Sequence, residues 1–215
     1  MSASVSQLDH LDRPPQSLWD RILAEPDRAP EHIALAASER FGPAAAEWVQ
    51  VAGPGHKPAK LAKTAVKKHV RLARLEGAAL GAGGVITMAP DLVSLIWIQS
   101  RMVFYVAAAL GHDPRDPMRP AELLVLYDLY ESRDHARSAL DGVGKRLAQA
   151  AAEKALRGGD RTALHVRLAK YLAKRMTRHY AGRFIPLIGA PIAAVQNGSS
   201  TKELGRNALS YYARP

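Results

Sequence analysis

Apolar residues recur along this chain at spacings of three and four, and no stretch alternates apolar with polar long enough to suggest a strand. That period predicts helices over Ser17–Glu25, Glu31–Phe41, Pro43–Val51, Ala59–Gly81, Asp91–Leu110, Ala121–Glu131, Arg133–Arg157, Arg161–Ala181 and Thr201–Ala213. Ser17 with Asp20, and Ser200 with Glu203, read as capping boxes. Gly42-Pro43 reads as a stop followed by a first-turn proline. Gly53–Pro58 and Asp113–Pro120 read as loops, Gly111 as a helix stop, and Gly142 with Gly144 as a weak point. Phe184–Gly198 is apolar but broken by Pro186, Gly189 and Pro191. The expected fold is all-α, a single helical bundle domain with a central apolar helical hairpin over Gly77–Leu110. Residues 1–16 are expected to form a flexible tail, residues 17–55 an N-terminal helical extension, and residues 56–215 the main helical domain.

Composition narrows the chemistry. The 215 residues include no cysteine, which excludes disulfides, zinc–thiolate sites and cysteine nucleophiles. The N-terminus has neither a basic leader nor an apolar core of the signal-peptide kind, so a cytoplasmic location is expected. Thirty Lys and Arg against 20 Asp and Glu give a net charge of +10, which points to an anionic partner without saying which.

Most of that excess sits in two segments. Lys57 to Leu75 holds seven basic residues and no acid, and Arg161 to Arg183 holds seven more and no acid, leaving 16 positive and 20 negative charges elsewhere. Lys60, Lys63, Lys67, Arg71 and Arg74 step by three or four and fall within a sector of about 60–80° on a helix. Arg167, Lys170, Lys174 and Arg178 form a second stripe. Ordinary solvated helix faces mix signs, because opposite charges three or four apart stabilise and like charges cost. Two single-sign stripes therefore suit a surface of phosphates, whether lipid headgroups or nucleic acid. The first stripe has no aromatic residues for base stacking, and the second has only Tyr171 and Tyr180, which favours lipid.

Between the stripes, Leu92–Leu110 approaches the length of a membrane span. Its one formal charge, Arg101, is expensive in lipid. Ser94, Arg101, Tyr105 and His112 fall within about 40° of one another, an ordered polar stripe that fits a protein interior better than lipid on all sides. Gly77, Gly81 and Gly84 permit close helix approach. Together with Ile185, Ile188 and Ile192 they are candidates for apolar insertion or for a ligand groove.

Candidate catalytic groups are few. Glu76, Asp91, Arg101 and His69 are chemistry-bearing residues on otherwise apolar faces, and an ion pair between Glu76 and Arg101, with Asp91 nearby, is expected inside the bundle. Asp91 also suits a helix start. Glu131 and His135, four apart, would share one helix face but lack further ligands, so no metal site is expected. No nucleophile elbow, HExxH, P-loop or dinucleotide fingerprint accompanies these residues, and no cofactor is expected.

The run LEGAALGAGGVITMAPDLVSLIWIQSRMVFYVAAALGHDP, through Glu76, Gly77, Gly81, Gly83, Gly84, Asp91, Gln99, Arg101, Gly111, Asp113 and Pro114, resembles the core of EcsC-family proteins. Pro186, Gly189, Ala190 and Asn197 resemble that family's C-terminal element, which here carries an additional proline, Pro191. The resemblance covers roughly Ala59 to Ala213. It implies a bacterial helical fold and a membrane context, including an ABC transporter as a conceivable partner, rather than a reaction. The expected function is that of a non-enzymatic protein peripheral to the membrane, binding anionic lipid or a membrane protein. The competing readings are a nucleic-acid or polyanion binder, a hydrolase using Glu76 or Asp91, and a cargo or scaffold protein targeted by its N-terminal segment.

Overall fold

The structure, a computed structural model, describes residues 12–80, 88–154 and 190–213, and these contain helices, turns and no strand. The helices are α1 (Gln16–Ala24), α2 (Ala29–Ala52), α3 (Pro58–Leu80), α4 (Met88–Ala109), α5 (Arg119–Leu126), α6 (Arg133–Lys154) and α7 (Ala190–Tyr212), with a 3-10 turn at Pro26–Arg28.

The centre is α4. Its stretch Leu92–Ala109 is long and apolar enough to cross a membrane, yet 89% of it is buried by the bundle. Helices α2, α3 and α7 pack around it. Phe41 of α2 meets Trp97 of α4 with ring centroids 4.7 Å apart, and Trp48 meets Tyr105 at 5.1 Å. Burying each such ring removes on the order of 150–250 Å² from water. The helices upstream of residue 56 thus share one apolar core with those downstream, because Leu18, Ile22, Phe41 and Trp48 belong to the same cluster as Val66, Trp97 and Leu204. Of the expected central hairpin only the α4 limb is surrounded; α3 keeps one face open.

Gly42-Pro43 does not end a helix. Helix α2 runs through Pro43 for 24 residues. Phe41 and Trp48 are two turns apart and both buried, so the same core holds the chain helical on each side of the missing N–H. Gly42 serves close approach instead: a β-carbon there would lie 2.9 Å from the Pro114 carbonyl oxygen. The expected capping boxes are also absent. Helix α1 starts after Pro15 with no side-chain cap. Helix α7 passes through Ser200 and Thr201, whose hydroxyls donate back to the Asn197 carbonyl at 3.2 and 2.6 Å. Helix α6 continues through Gly142 and Gly144. Gly111 does stop α4, with φ at 91°.

Candidate anion-binding face

Helix α3 divides cleanly by chemistry. Leu61, Ala62, Ala65, Val66, His69, Leu72 and Ala73 are buried, whereas Lys60, Lys63, Lys67, Arg71 and Arg74 are all exposed. None of these five basic residues is ion-paired among the described residues. The face continues across the seam with α7. Arg74 lies over Gly198, where a β-carbon would come within 2.6 Å of its Cγ, and Val66 lies against Gly205, so the two helices run antiparallel. Lys202 and Arg206 follow Gly198 at successive intervals of four, which keeps them within about 80° of it on the α7 wheel. Both are exposed. Neither was apparent from the sequence, because a pair of basic residues four apart becomes part of a face only when its neighbour helix is known.

Behind this face lies a buried polar seam. His69 is completely buried; its Nδ1–H donates to the Ala65 carbonyl at 2.8 Å, which leaves Nε2 as a bare acceptor without a partner. Burial pushes this imidazole down to about 3; the Arg101 charge acts in the same direction, and the Ala65 bond opposes it. Arg101 is 7% exposed, and its guanidinium carbon sits 5.4 Å from the Tyr105 ring centre. Glu76 is half-buried and makes no ion pair with Arg101. A helical wheel gives each residue the right face but not the same level along the pair, and the guanidinium turns to the aromatic cluster. Of the four candidate catalytic groups, His69 and Arg101 are thus shut inside the bundle. Asp91 falls in the first turn of α4, with its side chain outside the described residues.

The remaining candidates divide in the same way. Gly77 is buried within α3. Gly81, Gly84, Ile185, Ile188 and the stripe Arg167, Lys170, Lys174 and Arg178 lie outside the described residues, as does the side chain of Ile192. Glu131 precedes α6, which starts at Arg133, so Glu131 and His135 do not share a helix face. Among the described residues no group of three or more His, Asp or Glu is placed to hold a metal ion.

Two polar clusters had no sequence-based expectation. Gln99 of α4 donates to Ser200 Oγ at 3.2 Å and Thr201 Oγ1 at 3.1 Å, while its Oε1 accepts from Tyr127 at 3.2 Å. Glu122 of α5 is buried between Arg119, which donates to its Oε2, and Tyr212 of α7. Arg119 and Glu122 three apart were a legible pair, but the tyrosine that completes the cluster lies far along the chain. Both clusters fasten α7 to the bundle. The void between α2, α4 and α5, lined by Ile33, Ile96, Ser100 and Tyr127 among others, holds about 10 Å³, room for about one water-sized sphere.

The fold and this face define an all-helical protein built on one buried apolar helix, with a single-sign basic face on α3 beside it. The chain belongs to the EcsC family, whose EcsC protein family pattern matches residues 56–214. It is 30% identical over 84 residues to Protein EcsC of Bacillus subtilis (strain 168), an alignment covering 39% of this chain and 36% of that protein. The matched region thus spans only about a third of that relative. No solved structure matches the chain.

Proposed function

We propose that this protein is a peripheral membrane-binding protein of the cytoplasmic leaflet, docking on anionic headgroups through the outer face of α3. The observation that carries this reading is the run of five exposed basic residues, Lys60 to Arg74, with no acidic partner among the described residues. Like charges on adjacent turns cost about 0.2–0.5 kcal/mol per pair. Each basic residue near an anionic leaflet gains about 1 kcal/mol, so the bilayer more than offsets the repulsion. The buried His69 and Arg101 offer a substrate no approach and take no part in this docking. Docking next to a membrane protein, an ABC transporter for example, is compatible with the same face.

Flotation with phosphatidylglycerol-containing and pure phosphatidylcholine vesicles at two salt concentrations tests this. Binding to the anionic vesicles alone, weakening as salt rises, is the expected result. Equal binding to both vesicle types removes the electrostatic argument, and tighter binding to duplex or single-stranded nucleic acid under the same conditions replaces lipid with phosphodiester as the ligand.

A further inference from the structure

Among the described residues three large apolar side chains are conspicuously exposed: Val51 at 68%, Leu75 at 53% and Val195 at 65%. Single exposed apolar residues are ordinary on a protein surface. Two of these, however, share a level. The contacts of Val66 with Gly205 and of Arg74 with Gly198 set the register of the antiparallel pair, so Val195 stands opposite the turn of α3 that follows Leu75. The axial offset is about two residues, or about 3 Å. Val51, at the end of α2, lies near the opposite end of α3, because only a short loop separates it from Pro58.

Arg74 adjoins Leu75, Arg71 lies one turn behind it, and Lys202 lies two turns behind Val195 across the seam, all exposed. An apolar rim with one guanidinium beside it and another one turn behind matches the layering of a bilayer surface, in which acyl chains lie just beneath phosphates. The stem of Arg74 rests on Gly198, where a side chain would displace it, so the glycine holds this guanidinium at the seam.

We infer that Leu75 and Val195 form an insertion edge that enters the acyl–headgroup boundary of an anionic bilayer, while Arg71, Arg74 and Lys202 engage the phosphates above it. This rests on the membrane-docking reading given above and adds to it a tilt: with the outer face of α3 on the headgroups, the level of Leu75 and Val195 lies deeper than the level of Val51, which stays in water.

The absence of native cysteine makes the test direct. The variants Leu75→Cys, Val195→Cys and Val51→Cys in the full chain are labelled with an environment-sensitive nitrobenzoxadiazole probe and mixed with phosphatidylglycerol-containing vesicles, binding being followed separately by flotation. All three positions are exposed, so the fold tolerates the label. A blue shift with increased emission at positions 75 and 195, and none at 51, is the expected result. In the unlabelled chain Leu75→Ser combined with Val195→Ser weakens vesicle affinity on the order of tenfold or more. Flotation with no shift at either 75 or 195, a shift at only one of them, or an equal shift at 51 overturns the insertion edge while membrane docking stands. No flotation at all overturns both.

Discussion

The hydroxyl of Tyr212 donates a 3.0 Å hydrogen bond to Oε2 of Glu122, ninety residues earlier in the chain, and both side chains are buried. Arg119 donates to the same oxygen, Arg133 reaches Oε1 at 3.4 Å, and the Arg119 guanidinium lies 5.4 Å from the Tyr212 ring centre. His112 closes the group from the end of α4, its Nε2–H donating to the Tyr212 carbonyl at 2.8 Å. Burial, reinforced by the Glu122 charge, raises the Tyr212 phenol well above its ordinary value, so it remains a donor. One carboxylate thereby ties the end of α7 to α5.

Removing that carboxylate takes from the buried Arg119 guanidinium its most buried acceptor and leaves it the Asp116 carboxylate at 3.5 Å and the Asp113 carbonyl at 2.9 Å. Glu122→Leu is expected to lower stability by about 3–5 kcal/mol, whereas Tyr212→Phe, which deletes one bond to a charged acceptor, costs about 1.5–3 kcal/mol. Urea unfolding of the two single variants and the double variant checks this. If the two losses simply add, the pair is not coupled and the cluster is not a unit.

Gly42→Ala sets helix propensity against space. Alanine gains up to about 1 kcal/mol in a helix interior. The new β-carbon would sit 2.9 Å from the Pro114 carbonyl oxygen, a backbone atom that cannot swing away. Overpacking of this kind costs about 1–3 kcal/mol, so net destabilisation is expected. A raised melting temperature would show that the loop after α4 yields freely.

Acid should weaken the fold through His69. Its imidazole titrates at about 3 in the folded protein against 6.5 in the unfolded chain. Between those values the unfolded chain binds a proton that the folded chain refuses. Stability is therefore complete above the unfolded value and declines as pH falls, by about 1.4 kcal/mol per pH unit. His32, pushed down to about 4 chiefly by burial, adds a second proton of the same sign. His69→Phe should flatten the dependence by one proton, readable as the slope of unfolding free energy between about pH 6.5 and pH 5. Parallel slopes for the two proteins would contradict the buried neutral imidazole.

Neutralising the outer face should separate binding from folding. Lys63→Gln with Lys67→Gln removes two exposed charges that pair with no described acid, so stability should change by less than about 0.5 kcal/mol. Affinity for anionic vesicles should fall by about 2 kcal/mol, or about 30-fold, at low salt, and by less as salt rises. Unchanged vesicle affinity would move the contact surface away from α3.

Local information was enough for the helices whose period is strong. The expectation for α3 began at Ala59 against Pro58 in the structure, and that for α4 ended at Leu110 against Ala109, because apolar spacing and Gly111 act within one or two turns. The single-sign face of α3 and the family resemblance were legible for the same reason: both are written in contiguous residues. What depends on a distant neighbour was not. Pro43 stays helical only because Phe41 and Trp48 share a core with Trp97 and Tyr105. Ser200 is drawn into a helix interior because Gln99, 101 residues earlier, supplies its donor. Arg101 turns to Tyr105 rather than to Glu76, and Lys202 joins the face of α3 through the contact of Arg74 with Gly198. A wheel assigns each residue an angle about its own axis, but which helix lies beside it, and at what level, is set by the packing of all the apolar faces together.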